Sequence, residues 1–406
     1  MTVQSLTGTA PKRIEIIDSL RGFSLWGILI SHLSIFFEAF DGSSLNASNP
    51  SIPNIIISVI NGIFFAGKFF AIFSFLFGLS FYIQMDRAAQ KGINFQWRFL
   101  WRIIILMAVG YIHSLLFSGD ILIIYAILGI FLVFMFRVKN RVLIFLIIAL
   151  LAGLPRFISY GIKHLPGGTV AKVENATMED QMNKLSQVYR IGSFQEVVKF
   201  NADEGFKMKA DYQLGIEGRG YQTLALFFLG LLIGRTKYFE RIEDNMNVTR
   251  KIFKLSIWFT LGFMLLAGGL FILTKGDMEK FISLIAMSFY NLFNLSFALL
   301  ITTAFIIVYQ GNKVPKFLHQ LAPYGKMGLT NYLMQSIIFI PVFYGFGLGL
   351  ATKINLVMGI VLGMIIFYMQ VKFSKWWLNH FIYGPFEWLW RSLTWLKWQP
   401  MKKRYL

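Results

Sequence analysis

Apolar residues fill ten stretches of spanning length along the chain. They fall at about Gly22 to Phe40, Ile63 to Tyr82, Phe99 to Phe117, Ile121 to Phe136 and Val142 to Tyr160, then Tyr221 to Gly234, Phe253 to Leu273, Phe281 to Tyr309, Gly328 to Gly349 and Ile354 to Val371. A hydrocarbon core of ~30 Å takes about 20 apolar residues per helix. The pattern therefore predicts an all-α, polytopic transmembrane helical bundle of about ten spans, of which Tyr221 to Gly234 is the shortest. Residues 1–160 hold five of the runs and residues 221–374 the other five, separated by a polar insertion at 161–220 and followed by an aromatic and basic tail at 375–406.

Charge gives the predicted bundle a direction. Arg87, Lys91, Arg98 and Arg102 lie between runs two and three, Arg137, Lys139 and Arg141 between four and five, and Arg235, Lys237, Arg241, Arg250, Lys251 and Lys254 between six and seven. Lys313, Lys316 and Lys326 lie between eight and nine, and Lys402, Lys403 and Arg404 end the tail. The opposite connections are poorer, since Asp41 to Asn54 and Ser118 to Asp120 contain no Lys or Arg and the later ones hold Lys275, Lys280 and Lys353. Cytoplasmic loops accumulate Lys and Arg. Both termini are therefore expected in the cytoplasm, with the insertion outside, where its length predicts helices covering the external face.

Composition agrees with a lipid environment: 56% of the residues are hydrophobic, 17% aromatic and 15% charged. The net charge of +19 does not point to nucleic acid, because the basic residues recur in short loops instead of clustering among stacking aromatics. An anionic inner leaflet is the expected partner. Without cysteine there is no disulfide, thiolate nucleophile or Cys-ligated metal. Lys12 and Arg13 precede an apolar stretch, but Ser24, Ser31, His32 and Glu38 inside it make it too polar for a signal peptide, and no A-x-A site follows. The tail mixes Trp376, Trp377, Trp388, Trp390, Trp395 and Trp398 with Lys375, Arg391 and Lys397. Such a mixture predicts an amphipathic helix in the inner headgroup layer.

Ionisable groups inside spans are costly and mark cavities or partners. At 1.5 Å per residue His32 lies roughly 15 Å along the first span. His113 falls near the outer end of span three, Lys68 in the outer half of span two, and Asp120 opens span four across a tight turn, so His113 and Asp120 are expected to meet near the outer surface. Each has a structural reading as well: Asp120 and Asp18 as helix caps, Arg21 as an interfacial cation, His32 and His113 as interhelical donors, and Lys68 as a snorkelling lysine. A His held by a carboxylate on one ring nitrogen is also a general base for a hydroxyl or amine. Glu387 and Arg391 are spaced for an ordinary ion pair on one helix. Asn331, Tyr332, Gln335 and Ser336 make span nine polar, as interhelical glue or as a cavity wall, and Gly230 with Gly234 suits close helix packing. No Walker loop, dinucleotide fingerprint, H-E-x-x-H or EF-hand is present, and no metal site is expected.

Several stretches share one pattern. IDSLRGFSLWGILI (Ile17 to Ile30), GKFFAIFSFLFGLSF (Gly67 to Phe81) and GYIHSLLFSGDILIIYAILG (Gly110 to Gly129) resemble the N-terminal half of the bacterial YeiB-like membrane proteins. GKMGLTNYLMQS (Gly325 to Ser336) and GPFEWLWRSLTW (Gly384 to Trp395) resemble the C-terminal part of that family, domain of unknown function 418. The family usually has Asn where this chain has His32, so a mechanism resting on His32 would not be the family's. Asp18, Arg21, Lys68, His113, Asp120, Asn331, Tyr332, Gln335, Glu387 and Arg391 all fall within the matching motifs. The R-G-F opening is in turn similar to that of membrane acyltransferases, including the heparan glucosaminide N-acetyltransferases, which move an acyl group from cytoplasmic acyl-CoA to an acceptor across the membrane.

That resemblance implies an acyltransferase of the bacterial cytoplasmic membrane, with acyl-CoA as co-substrate, no permanently bound cofactor, and an envelope or exported small molecule as acceptor. His113 and Asp120 would be the catalytic pair. Asp18, Arg21, His32, Lys68, Asn331, Tyr332, Gln335, Glu387 and Arg391 would bind donor or substrate. The alternative is a small-molecule or proton-coupled transporter with His32, Lys68, His113 and Asp120 along its path. Homo-oligomerisation is left open by either reading.

Overall fold

The computed structural model describes residues 14–41, 52–164, 178–215, 218–274, 280–311 and 315–403. The connection at 42–51, together with Lys12, Arg13, Lys275, Lys313 and Arg404, lies outside the described residues. Seven helices precede the insertion: α1 (Glu15–Asp41), α2 (Ile52–Ile60), α3 (Lys68–Ala89), α4 (Gln96–Ser114), α5 (Leu122–Met135), α6 (Asn140–Leu151) and α7 (Leu154–Lys163). The insertion contributes α8 (Met178–Ile191), α9 (Phe194–Ala202) and α10 (Glu204–Leu214). The remainder forms α11 (Arg219–Arg235), α12 (Met246–Thr274), α13 (Phe281–Tyr309), α14 (Lys316–Lys326), α15 (Gly328–Phe343), α16 (Leu356–His380) and α17 (Pro385–Trp395). Among the described residues there is no strand, only an isolated bridge between Phe381 and Lys402.

Each apolar run of the sequence falls on a helix. Four helical stretches among the described residues are long and apolar enough to cross a membrane: Ile55–Ala89, Met246–Thr274, Phe281–Tyr309 and Leu356–His380. The Val142 to Tyr160 run is α6 and α7, bent by 58° at a break, which would make a fifth if the pair is one span. At the break Gly153 takes a left-handed φ of 82° and Pro155 follows in the first turn of α7. α5 has 14 residues and rises about 21 Å, short of the hydrocarbon thickness. The chain is thus an all-helical membrane protein. Two helices, α2 and α14, were not anticipated by the apolar pattern, because 9 and 11 residues are too few to register as spans.

α1 runs through the middle of the bundle, in contact with α3, α14, α15 and α16. It crosses α14 at contact distance: a Cβ on Gly325 would lie 1.9 Å from the Asp18 carbonyl oxygen. α3 and α11 cross in the same way at Gly78 and Gly230, where a Cβ on Gly230 would stand 2.2 Å from the Phe75 carbonyl oxygen. Small residues let helix backbones approach in this manner where lipid supplies no hydrophobic drive. The C-terminal end of α3 and the N-terminal half of α4, which bear Arg87, Arg98 and Arg102, define a basic end of the bundle. The insertion helices cover the opposite end.

Candidate functional site

The turn from α4 to α5 brings together the two residues that the sequence sets seven apart. His113 Nδ1 lies 2.7 Å from Asp120 Oδ1, and the two residues are 6% and 2% exposed. The Asp120 carboxylate also accepts the backbone N–H groups of Leu122 and Ile123, each at 3.1 Å. Asp120 therefore caps α5 and holds the His113 ring with the same carboxylate. Because an ionised carboxylate only accepts, Nδ1 carries the proton, and in the neutral ring Nε2 is the nitrogen left with a lone pair. That Nε2 is buried and has no hydrogen-bond partner.

Tyr332 closes the site from α15. Its hydroxyl accepts the Ile121 N–H at 3.1 Å, and its ring centroid lies 5.3 Å from that of His113 and 5.7 Å from that of His32. Phe117 packs edge-on against His32 at 5.0 Å. Thus His32, His113, Asp120 and Tyr332 form one cluster, which Tyr332 joins from a helix that the sequence did not group with the histidines. The pair lies at the end of the bundle that the insertion covers. The insertion seals it: Asn201 donates to the Leu115 carbonyl at 3.1 Å, Tyr189 donates to Asn201 Oδ1 at 2.8 Å and accepts the Ser118 N–H at 3.3 Å. Tyr344 stacks on Tyr189 with centroids 4.4 Å apart. Lys209 of α10 is buried nearby; burial lowers its ammonium pKa, and the charge of Asp120 acts the other way.

On the basic side of this cluster lies a cavity of about 420 Å³. Its charged end is lined by Arg21, Arg87, Arg102, Lys326 and Arg391, with Asp18 and Glu387 among them. Its other end is apolar and aromatic, reaching Phe73, Phe77, Leu122, Tyr125 and Tyr332. Along α3 the lining runs from Arg87 to Phe73, a rise of about 21 Å. Tyr332 is shared between cavity and cluster, so one side chain separates the apolar end from His113.

The charged end is organised by hydrogen bonds that the spacing of the residues only half reveals. Arg21 donates to Asp18 Oδ1 at 2.8 Å and to Ser80 Oγ at 2.9 Å. Glu387 does not form the expected ion pair with Arg391. Its carboxylate instead accepts the Leu329 and Thr330 N–H groups at 2.7 and 3.0 Å and the Thr330 hydroxyl at 2.5 Å, capping α15. Thr330 Oγ1 in turn accepts the Phe386 N–H at 3.0 Å. Helix N-termini present free N–H groups and a positive dipole, which is why the carboxylate goes there. Arg391 lies over the Tyr383 ring, and its buried Nε has no hydrogen-bond partner. Arg102 stacks on Trp390 at 3.8 Å and Arg98 on Trp395 at 4.1 Å. The tail is helical as expected, and these contacts dock one side of it on α4.

Two expectations need correction. Asn331 and Gln335 do not line the cavity: Asn331 donates to the Tyr324 carbonyl and to Ser374 Oγ, and Gln335 to the Tyr324 hydroxyl. They bind α14, α15 and α16 together. Lys68 neither joins the His113 cluster nor snorkels outward; it is 0% exposed and donates to the Gly62 carbonyl at 2.7 Å. Its neighbours come from α11 and α13, which no local spacing announces. Ser80, Arg102, Lys209 and Thr330 are site residues that the sequence did not mark as such; Arg102 counted only among the loop cations, and Ser80 and Thr330 lie within the marked stretches Gly67 to Phe81 and Gly325 to Ser336.

Residues 233–397 match the family described as Protein of unknown function (DUF418). The chain is 28% identical to the Uncharacterized protein YxaH of Bacillus subtilis (strain 168) over 97% of both chains. It is also 38% identical to the Uncharacterized protein YeiB of Escherichia coli (strain K12) over 79 residues, 20% of each chain. The chain is thus similar to the YeiB-like DUF418 proteins, through the family match over residues 233–397 and through these relatives. The chain is also 25% identical, over 94% of both chains, to an Uncharacterized 39.9 kDa protein in amylase 3'region of Bacillus acidopullulyticus. No solved structure matches the chain. In DUF418 terms the matched region supplies Tyr332, Glu387 and Arg391, while Arg21, His113 and Asp120 come from the part before it.

Proposed function

We propose that this protein is an integral membrane acyltransferase that takes an acyl group from a cytoplasmic acyl-CoA-like donor and delivers it to an envelope or exported small molecule. The observation that carries the reading is the cavity that joins a cationic end to an aromatic end one side chain away from His113. On this reading the ten apolar runs are ten crossings of a bacterial cytoplasmic membrane, both termini are cytoplasmic, and the basic end meets the anionic inner leaflet. Arg21 and Arg391 hold donor phosphates through charge-assisted hydrogen bonds. The pantetheine stem follows the apolar wall inward.

His113 Nε2 then takes a proton from the acceptor's hydroxyl or amine as that atom attacks the thioester carbonyl. The C–S bond breaks, the thiolate leaves, and the imidazolium returns its proton to the sulfur. The products are acylated acceptor and free CoA. Asp120 keeps the ring in the tautomer this requires.

A small-molecule transporter is the second reading, favoured by one feature: the Tyr189–Tyr344 stack shuts the cluster from the insertion side while the cavity lies on the basic side. Titrating purified protein with acetyl-CoA and longer acyl-CoAs tests the donor half of the proposal. Arg21→Lys, which loses the planar two-pronged grip on phosphate, should weaken donor binding and leave membrane insertion intact. Equal affinity in wild type and variant would return Arg21 to a structural role with Asp18. Acylated product formed from a panel of amino sugars and alcohols separates the enzyme from the transporter.

A further inference from the structure

A second polar cluster lies away from the cavity, where α3 begins. Lys68 is its first residue, wholly buried, with its ammonium beside the Phe293 ring at 4.8 Å. The charge that acts on it is of like sign, that of Arg219 on α11. Neither cation is within ion-pair range of a carboxylate among the described residues. An unneutralised cation as buried as Lys68 costs free energy, because little water is there to solvate it, and the half-buried Arg219 at the start of α11 adds like charge beside it.

The surrounding groups add to the positive field. Gly67, just before α3, has φ +88°, and a Cβ on it would lie 2.9 Å from an Arg219 guanidinium nitrogen and 3.3 Å from the Asn294 amide carbon. The guanidinium and the amide thus converge on bare backbone at the N-terminus of a 22-residue helix, whose first N–H groups and dipole favour negative charge. Asn294 is 3% exposed, and neither atom of its amide has a hydrogen-bond partner. An unbonded buried amide is rare and expensive.

We propose that Lys68, Arg219, Asn294 and the N-terminus of α3 form a binding site for a single anionic group, a carboxylate or a phosphate. One oxygen-rich anion supplies what the cluster lacks, since it neutralises both cations and accepts from the Asn294 amide and the helix end. The group belongs either to a free anion or to an anionic lipid headgroup. The apolar outer side of α2, where Ile52, Ile56 and Val59 are exposed, places lipid next to the site. The proposal is independent of acyl transfer.

The test is thermal unfolding of the full chain in nanodiscs. In phosphatidylcholine discs, inorganic phosphate or acetate is titrated at constant ionic strength; in a parallel arm, phosphatidylglycerol replaces phosphatidylcholine. The wild type should show a saturable rise in Tm, as expected for a ligand that binds only the folded state. A rise with phosphate or acetate identifies a free anion, and a rise only with phosphatidylglycerol identifies a headgroup. Lys68→Met should lose the rise. Asn294→Asp, nearly isosteric, builds a carboxylate into the cluster, so it should melt above the wild type without added anion and no longer respond to one. The proposal is overturned if the wild type responds in neither arm, if the variants respond as the wild type does, or if Asn294→Asp melts lower. Should Lys68→Met fail to fold, Asn294→Asp decides by itself.

Discussion

Asp120 binds the His113 ring at 2.7 Å with the same carboxylate that caps α5. Stability and ring orientation therefore depend on one side chain, and two substitutions separate them. Asn is as good a helix cap as Asp, whereas Ala at a cap costs about 0.5–2 kcal/mol. Asp120→Asn should unfold near the wild-type temperature in detergent, and Asp120→Ala clearly below it. In transfer assays both should be impaired, because the amide of Asn no longer fixes the Nδ1–H tautomer. Equal melting temperatures for Asn and Ala would mean that the cap contributes little.

Thr330 and Glu387 lock the tail helix to α15, and they offer a second test. Thr330→Val strands the Phe386 N–H and one carboxylate oxygen, a loss of about 1–3 kcal/mol for buried polar groups. Burial raises the Glu387 carboxyl above its ordinary value of 4.5, against the hydrogen bonds it accepts. A carboxyl raised on folding contributes stability that is fully present below its unfolded pKa and is lost as pH rises through the folded one. Measured against the non-titrating Glu387→Gln, the wild type should lose relative stability between pH 4.5 and neutrality. A difference that grows with pH would show that the hydrogen bonds outweigh burial.

The insertion's grip on the α4–α5 turn is tested by Tyr189→Phe, which removes the hydroxyl shared by Asn201 and the Ser118 N–H. Hydrogen exchange at the turn, Leu115 to Asp120, should accelerate in the variant while the middle of α13 stays protected. Unchanged exchange at Ser118 would mean that the insertion does not hold the turn.

The proposed cytoplasmic entry of the donor depends on topology. Reporter fusions after Arg141 and after Leu406 should report cytoplasm, and fusions within 161–220 the external side. An external C-terminus would remove the ten-span arrangement.

How much of this was legible in the sequence follows from the range of each interaction. His113 and Asp120 flank one short turn, and Asp18 and Arg21 share one face of α1, so spacing alone brings each pair together. Glu387 and Arg391 also share a helix face, yet the carboxylate goes to the N-terminus of α15, 57 residues away. A cap donated by another helix leaves no local pattern. The helix from Lys316 to Lys326 packs under α1 through a contact that depends on Gly22 and Gly325, a long-range match that hydropathy does not register. Lys68 looked like part of the His113 cluster because both are ionisable groups in apolar runs, and only the placement of α11 and α13 separates them. Lys209 was hidden in a charge-balanced insertion, where one lysine among several carries no signal.

The most direct measurement is turnover of labelled acyl-CoA by folded His113→Ala beside wild type, with donor binding measured on the same preparations. A general base contributes typically about 10² to 10⁴-fold to rate and little to ground-state binding. The account predicts a loss of that order in turnover, with acyl-CoA affinity retained. Transfer undiminished in His113→Ala would contradict it.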